Sequence, residues 1–189
     1  MARGTTLSRR AILIAAGAIH KERRMKMTKQ EKRQYRCCFT GHRPEKLNVT
    51  ESFVIEGLEK EIRQAIADGM NVFITGMARG TDIWAALIVL RLREDNPDIK
   101  LMFACPHPDF EKRWSADWQE KYNYILANAD HTVMVSKDYS RSCYQVRNEW
   151  MVNHSRRVIA VFNGEKSGTK NTVDYAIRHG VEVRNVLPN

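Results

Sequence analysis

The chain has 189 residues, 43% of them hydrophobic and 28% charged, the size and make-up of one globular domain with room for a substantial core. Its formal net charge is +9, yet residues 1–36 hold eleven Lys/Arg against two Asp/Glu, and residues 37–189 hold twenty of each sign. The body is therefore neutral. That excludes the broad positive field of a nonspecific DNA-binding domain and confines any nucleic-acid affinity to the tail or to a local patch.

The four cysteines, Cys37, Cys38, Cys105 and Cys143, include no C-x-x-C pair and no histidine at ligand spacing. This argues against a metal site and against a disulfide framework. No run approaches the roughly 18 apolar residues of a membrane span. A cytoplasmic protein with no membrane partner is expected.

Residues 1–34 read as a basic extension. Arg9-Arg10 followed by Ala11 to Ile19 superficially resembles a twin-arginine or secretory leader, but the small-residue triplet Ala16-Gly17-Ala18 lies inside the apolar run rather than after it. A flexible or helical basic arm fits the stretch better, as does an upstream extension of the reading frame with Met25 or Met27 as the start.

From Tyr35 the pattern is regular, and residues 35–189 are expected to form the folded domain. Tyr35 to Thr40 reads as a strand stopped by Gly41-His42-Arg43-Pro44. Ser52 or Glu51 opens a helix whose Ile55, Leu58, Ile62, Ala65 and Ile66 share a face, and Gly69 closes it. Asn71 to Thr75 is a second strand, Gly76 to Gly80 a glycine loop, and Thr81 or Asp82 the cap of a helix reaching about Glu94. Lys100 to Cys105 is a third strand, stopped by Pro106-His107-Pro108.

Trp114 to Ala129 is a helix, His131 to Ser136 a strand and Ser142 to His154 a helix. Val158 to Phe162 is an apolar strand, followed by a loop with Gly164 and Gly168 and a helix opening at Thr169 or Lys170. Gly180 caps that helix, and Val181 to Leu187 is the last strand. This alternation predicts an α/β protein: a doubly wound, mostly parallel sheet with helices on both faces.

In such a sheet a ligand binds outside the carboxyl ends of the strands, near the point where strand order reverses. Four loops at that edge carry unusual chemistry: GHRP, GMARGTD, CPHP and NGEKSGT. The last is the strongest phosphate cradle, because its glycines admit close backbone approach and the helix after it directs unpaired N–H groups to the same point. His42 and Arg43 at a strand end call for an anion or a carboxylate. His107 is expected on the rim. Arg147 of the Ser142–His154 helix is placed to point into the crevice, while Trp84 and Trp150 are expected in the core.

The runs CCFTGHRP, ITGMARGTDIWAA, CYQVRNEWMVNHS and VIAVFNGEKSGTKNTVDYA together resemble the YpsA-like branch of the SLOG superfamily, named for the Smf/DprA and LOG proteins. The resemblance spans about Tyr35 to Leu187. It implies a Rossmann-like fold and a site for a nucleotide or nucleotide derivative, such as an ADP-ribose-like ligand. GMARGTD is also similar to a loop of DprA, a single-stranded DNA binder. RNEWM with NG and GT is similar to motifs of the LOG phosphoribohydrolases, which cleave the N-glycosidic bond of nucleoside monophosphates.

Carried over by residue, Arg147 matches the LOG arginine, Asn163-Gly164 the glycine pair and Gly168-Thr169 the G-T. Asn171 and Thr172 stand where that motif has glutamates, Asn148 stands where it has lysine, and Leu87 stands where the YpsA-like branch has glutamate, on what is expected to be the crevice side of its helix. A carboxylate for glycosidic chemistry would then have to come from Asp82 or Glu149.

The expected ligand-binding set is Gly41, His42, Arg43, Gly76, Arg79, Gly80, Thr81, Asp82, Arg147, Asn148, Asn163, Gly164, Gly168, Thr169, Asn171 and Thr172. Asp82, Arg147 and Glu149 are the candidates for chemistry. Within the set, phosphate is expected on Gly164 to Thr172 with Arg43 and Arg147, and ribose on Asp82 or Asn171. A nucleotide-type small molecule is the expected partner, with nucleic acid as an alternative through the basic tail and homo-oligomerisation left open.

Overall fold

The computed structural model describes residues 27–188. The leader-like stretch Arg9 to Ile19 and the start Met25 lie outside the described residues. The chain divides into two units, residues 1–32 and 33–189. At the end of the first begins a short helix, α1 (Lys29–Arg33). Thr28 and Glu31 cap it reciprocally: Glu31 N donates to Thr28 Oγ1 at 3.2 Å and Thr28 N donates to Glu31 Oε2 at 2.7 Å.

The second unit alternates strand and helix: β1 (Arg36–Gly41), α2 (Glu51–Ala67), β2 (Val72–Thr75), α3 (Thr81–Asp95), β3 (Lys100–Cys105), α4 (Ala116–Asn128), β4 (His131–Met134), α5 (Cys143–Asn153), β5 (Arg157–Val161), α6 (Gly168–Arg178) and β6 (Glu182–Asn185). A 3-10 turn at Pro44–Lys46 follows β1. The six strands lie in the order β4-β3-β2-β1-β5-β6. Each adjacent pair is parallel, so the sheet is wholly rather than mostly parallel. From β1 the chain works outward through β2, β3 and β4, then returns to add β5 and β6 on the other side. Strand order reverses between β1 and β5.

Side-chain alternation along the strands feeds two cores. Cys37, Phe39, Phe73, Leu101, Phe103 and Ile159 face the larger one, under α2, α3 and α4. Cys38, Ile74, Ala104 and Val158 face the smaller one, under α5 and α6. Cys37 and Cys38 thus enter opposite cores, both fully buried, and all four cysteines are free. Phe39 and Phe73 stack with ring centroids 6.1 Å apart, and each such fully buried side chain contributes about 1.5–3 kcal/mol relative to exposure. Trp84 lies in the larger core as expected.

Several boundaries differ from the sequence reading. The cap of α3 is Gly80, at φ 85°, rather than Thr81 or Asp82; Thr81 Oγ1 instead donates to His42 O at 3.3 Å. Helix α6 opens at Gly168, one residue before Thr169, because Ser167 is the cap and its Oγ accepts from Lys170 N at 3.1 Å. Phe162 falls outside β5 because a side chain takes over its backbone pairing. Its N–H donates to Asn185 Oδ1 at 3.0 Å, and Asn185 Nδ2 donates to its carbonyl at 2.9 Å. Strands β4 and β6 are shorter than expected, and Leu87 packs against the larger core instead of facing the crevice.

Candidate functional site

At the reversal point the carboxyl end of β1 opens into a cavity of about 310 Å³, lined by the loop after β1, Ala78 and Asp82, three residues of α5, and the start of α6. Tight packing of the two glycine loops builds its back wall. A Cβ on Gly41 would meet Thr81 Oγ1 at 2.1 Å, and one on Gly80 would meet Pro44 Cδ at 2.7 Å. Met77, within the second of these loops, is fully buried at φ 60°, a left-handed conformation rare for a residue with a side chain. Thr75 holds it there: its Oγ1 accepts from Met77 N at 3.1 Å while donating to Asp82 O at 3.0 Å.

Arg147 enters the cavity wall from α5 and is buried. Its Nη1 donates to Gly76 O and its Nε donates to Asn148 Oδ1 at 2.9 Å. Asn148 Nδ2 donates onward to Thr172 Oγ1 at 3.0 Å, and Thr172 Oγ1 donates to Gly168 O at 2.9 Å. A hydrogen-bonded chain therefore runs from the second glycine loop to the amino end of α6 and fixes the two against each other.

Asp82 is buried beside Arg147, its Oδ2 accepting from Ala78 N at 3.2 Å. Burial raises its carboxyl to about 6, against the opposing pull of Arg147 and the backbone N–H groups of Ala78 and Gly76. Burial likewise lowers Arg147, with Asp82 opposing. His42 is buried and held below the ordinary histidine range, again by burial. It is neutral near pH 7, and its Nε2 has no hydrogen-bond partner among the described residues.

Arg43 and Lys46 line the cavity on its open side, and neither has a carboxylate partner among the described residues. The α6 amino end, the two free cations and the neutral His42 form a lining suited to an anion.

Of the expected set, the structure brings Gly41, His42, Arg43, Asp82, Arg147, Asn148, Gly168 and Thr169 to the cavity. Gly76, Gly80, Thr81 and Thr172 stand behind them and shape or brace the wall. Arg79 lines an adjoining space and pairs with Glu45 at 3.0 Å.

Asn163, Gly164, Asn171 and Glu149 are not among the lining residues. Asn163 braces its own loop by accepting from Glu165 N at 3.1 Å, Asn171 is exposed, and Glu149 accepts from Gln145. His107 is not a rim residue. It is only 9% exposed, and its ring lies against Tyr139 and Tyr144. Sequence reasoning missed Glu45, Lys46 and Tyr144; Ser167 fell inside the expected Gly164 to Thr172 phosphate stretch but was not named, and its residue type just before the helix start was the available signal for a cap.

The family model YpsA, described as the YspA SLOG family, matches residues 37–185. The chain belongs to this family. A relative in Bacillus subtilis strain 168, the uncharacterized SPbeta prophage-derived protein YoqJ, is 38% identical across 55% of this chain and 68% of its own. A UPF0398 protein of Bacillus thuringiensis strain Al Hakam is 26% identical across 77% and 84%.

Among solved structures, DNA processing protein A (DprA) from Streptococcus pneumoniae superposes with TM-score 0.53 at 19% identity, covering 82% of this chain and 50% of that one. DprA from Helicobacter pylori, described for its single-stranded DNA binding mode, superposes with TM-score 0.56 at 17% identity, covering 82% and 66%. The chain therefore spans half of one DprA chain and about two thirds of the other. At these identities the likeness is one of fold, and it makes this SLOG chain Rossmann-like. Among the described residues no helix is long and apolar enough to cross a membrane.

Proposed function

We propose that residues 35–189 of this SLOG protein form a cytoplasmic domain that binds a nucleotide or nucleotide-derived ligand. The observation that carries the reading is the cavity at the β1–β5 reversal point, where the amino end of α6 lies with Arg43 and Lys46, which have no carboxylate partner among the described residues. Phosphate is assigned to Ser167, Gly168, Thr169 and those two cations, and ribose to the region of Asp82. A space of about 310 Å³ lies within the range of small-molecule sites. The four free cysteines fit a reducing compartment.

The test is a thermal-shift screen of nucleoside mono-, di- and triphosphates, ADP-ribose and NAD against the wild type and an Arg43→Glu, Lys46→Glu double variant. Both side chains are at the surface, so the variant keeps its fold. A ligand at 100 times its Kd stabilises by about 2.7 kcal/mol, and the variant is expected to lose that gain. No shift with any compound in the wild type rejects the reading.

A second reading, a nucleotide N-glycosidase, draws support from Asp82. A buried carboxyl raised to about 6 can hold a proton for a departing base near neutral pH. Against it, the two LOG glutamate positions present only Asn171, which is exposed, and Thr172, which is tied to Gly168. If the reaction occurs, Asp82→Asn abolishes base release while ligand binding persists; undiminished release in that variant rejects Asp82 as the acid. DNA binding of the kind named for the H. pylori DprA would fall to the basic tail, since residues 37–189 carry no net charge. Deleting residues 1–34 tests that assignment.

A further inference from the structure

The cavity does not end at Arg147. A narrow space of about 60 Å³, lined by Arg43, Ala78, Arg79, Arg147, Phe110 and Tyr144, adjoins it. Beyond lies a second cavity of about 550 Å³ whose walls include His107, Phe110, Tyr139, Tyr144 and Arg113. Tyr144 borders all three spaces.

The second cavity is built from rings. His107 meets Tyr139 and Tyr144 edge-on, with centroids 5.3 and 5.6 Å away, and Phe110 at 6.0 Å. Hydrogen bonds lock the arrangement. His107 Nδ1 lies 2.7 Å from Pro108 O, so its N–H donates there, leaving Nε2 to accept from the Tyr144 hydroxyl at 3.2 Å. Yet Tyr139 remains 67% exposed and Tyr144 40% exposed. Tyr144, held by that hydrogen bond, and Tyr139, resting against the His107 ring, are left uncovered, a stacking surface without an occupant. Charge follows the same path. In the neck Glu45 engages Arg79, and at the second cavity Asp109 engages Lys112, leaving Arg43 and Arg113 without a carboxylate partner among the described residues.

We infer that the second cavity is a subsite for another aromatic ring of the same ligand, which is then a dinucleotide: two ring-bearing ends joined through phosphates that cross the neck beside Arg43 and Arg79. This rests on the nucleotide reading of the first cavity. A dinucleotide is favoured over a DNA strand because the space between the two cavities is only about 60 Å³ and carries Arg43, Arg79 and Arg147, and because the body lacks the net positive charge that strand binding needs.

Calorimetric titration of the full chain with two pairs of probes tests the subsite: ADP-ribose against NAD, and guanosine 5′-tetraphosphate against diguanosine tetraphosphate. The second member of each pair carries the extra ring. In at least one pair that member is expected to bind about tenfold more tightly, as one stacked ring predicts. Tyr139→Ala should erase the difference while leaving the smaller probe's Kd unchanged, and the exposure of Tyr139 leaves the unliganded melting temperature in place.

Equal affinity within both pairs overturns the subsite and leaves the first cavity standing. So does an advantage that survives both Tyr139→Ala and Arg113→Ala. Tighter binding of a short oligothymidylate than of any dinucleotide, weakened by Tyr139→Ala, overturns it in favour of a single-strand groove. Binding of no probe at all overturns the nucleotide reading and the subsite with it.

Discussion

Each edge of the sheet carries a buried arginine, and the two are treated oppositely. At the amino edge Arg157, the first residue of β5, donates through Nη2 to Asp68 Oδ2 at 2.6 Å and through Nε to Glu182 Oε2 at 2.8 Å. Burial lowers its pKa, but the two carboxylates outweigh burial and leave the guanidinium above its ordinary value. At the carboxyl edge Arg147 has one carboxylate nearby, a carbonyl and an amide oxygen, and burial wins: its pKa ends below the ordinary value. The amino edge is neutralised by the protein itself. The carboxyl edge keeps positive charge in excess around a cavity, as an anion site requires.

Removing each arginine separates the two cases most widely. Arg147→Met leaves Asp82, which is 5% exposed, without its counter-charge, so the carboxyl either stays as an uncompensated buried anion or takes up a proton to stay buried. At pH 8 this is expected to cost about 3 kcal/mol or more of unfolding free energy. Arg157→Met leaves carboxylates whose side chains are 31% and 34% exposed and can rehydrate, so the cost should be about half that or less. Urea unfolding of both variants makes the comparison; equal losses would mean that the two edges are electrostatically alike.

The pH dependence sharpens the same contrast. Because burial raises Asp82 to about 6, the folded chain binds this proton more tightly than the unfolded one. The resulting stabilisation is complete below the ordinary aspartate range and is lost as pH rises through about 6. A raise of about two units corresponds to about 3 kcal/mol. Asp68, held low by hydrogen bonds from Arg157 and Gln64, and Glu59, held low by Arg63 and Arg91, have the opposite sign. Their contributions are complete above the ordinary carboxylate range and fade only in more acid solution. Buried His42, held below the ordinary histidine range, acts in the opposite sense over part of the same window, so the comparison is between variants: the stability of the wild type relative to Asp82→Asn should rise from pH 7.5 to pH 5. A difference between the two that does not change with pH would remove Asp82 from the account.

How much of this was legible from residues alone follows the range of the forces involved. The strands were readable because β-branched and aromatic runs between glycine and proline loops have few other folded solutions, but alternation does not say which strands flank the reversal point, and its place between β1 and β5 comes from the strand order of the folded sheet. The placement of His42 and Arg43 was readable because basic groups at a strand end have little other use, and that of Arg147 because of the face its helix turns to the crevice. Lys46 and Tyr144 were not, since exposed residues of their kinds occur everywhere and only the packing of the 3-10 turn and α5 brings them to one cavity.

His107 was misread because flanking prolines suggest a solvated turn, while its burial depends on Tyr139 and Tyr144, more than thirty positions away. The α3 cap was misplaced because Thr81 and Asp82 are good capping residues by type. The close approach of Pro44 to Gly80 instead claims that position for a residue with positive φ and no side chain.

That close packing supplies the next effect in size. A Cβ on Gly76 would lie 2.0 Å from Arg147 Nη1, so Gly76→Ala must expel the guanidinium from its seat or shift the loop. The expected loss is about 1–3 kcal/mol, accompanied by loss of nucleotide binding. Gly164→Ala meets no atom within 4 Å, although its φ of 90° carries a backbone cost; it should destabilise without altering ligand affinity. A Gly76→Ala protein that keeps both stability and affinity would show that Arg147 has room the structure does not display.

The smallest effect distinguishes a cap at the site from one away from it. Ser167 and Thr50 cap α6 and α2 in the same way, each side-chain oxygen accepting from the backbone N–H three residues on, at 3.1 and 3.3 Å. Alanine at either is expected to cost about 1 kcal/mol. Ser167, however, lines the cavity, and Thr50 does not. Ser167→Ala frees the Lys170 N–H and lets the amino end of α6 fray where phosphate is assigned, so it should weaken nucleotide binding as well as stability. Thr50→Ala should reduce stability alone, because the helix it caps presents no residue to the cavity. Equal affinities in the two variants would detach the α6 amino end from the ligand and leave the anion to Arg43 and Lys46.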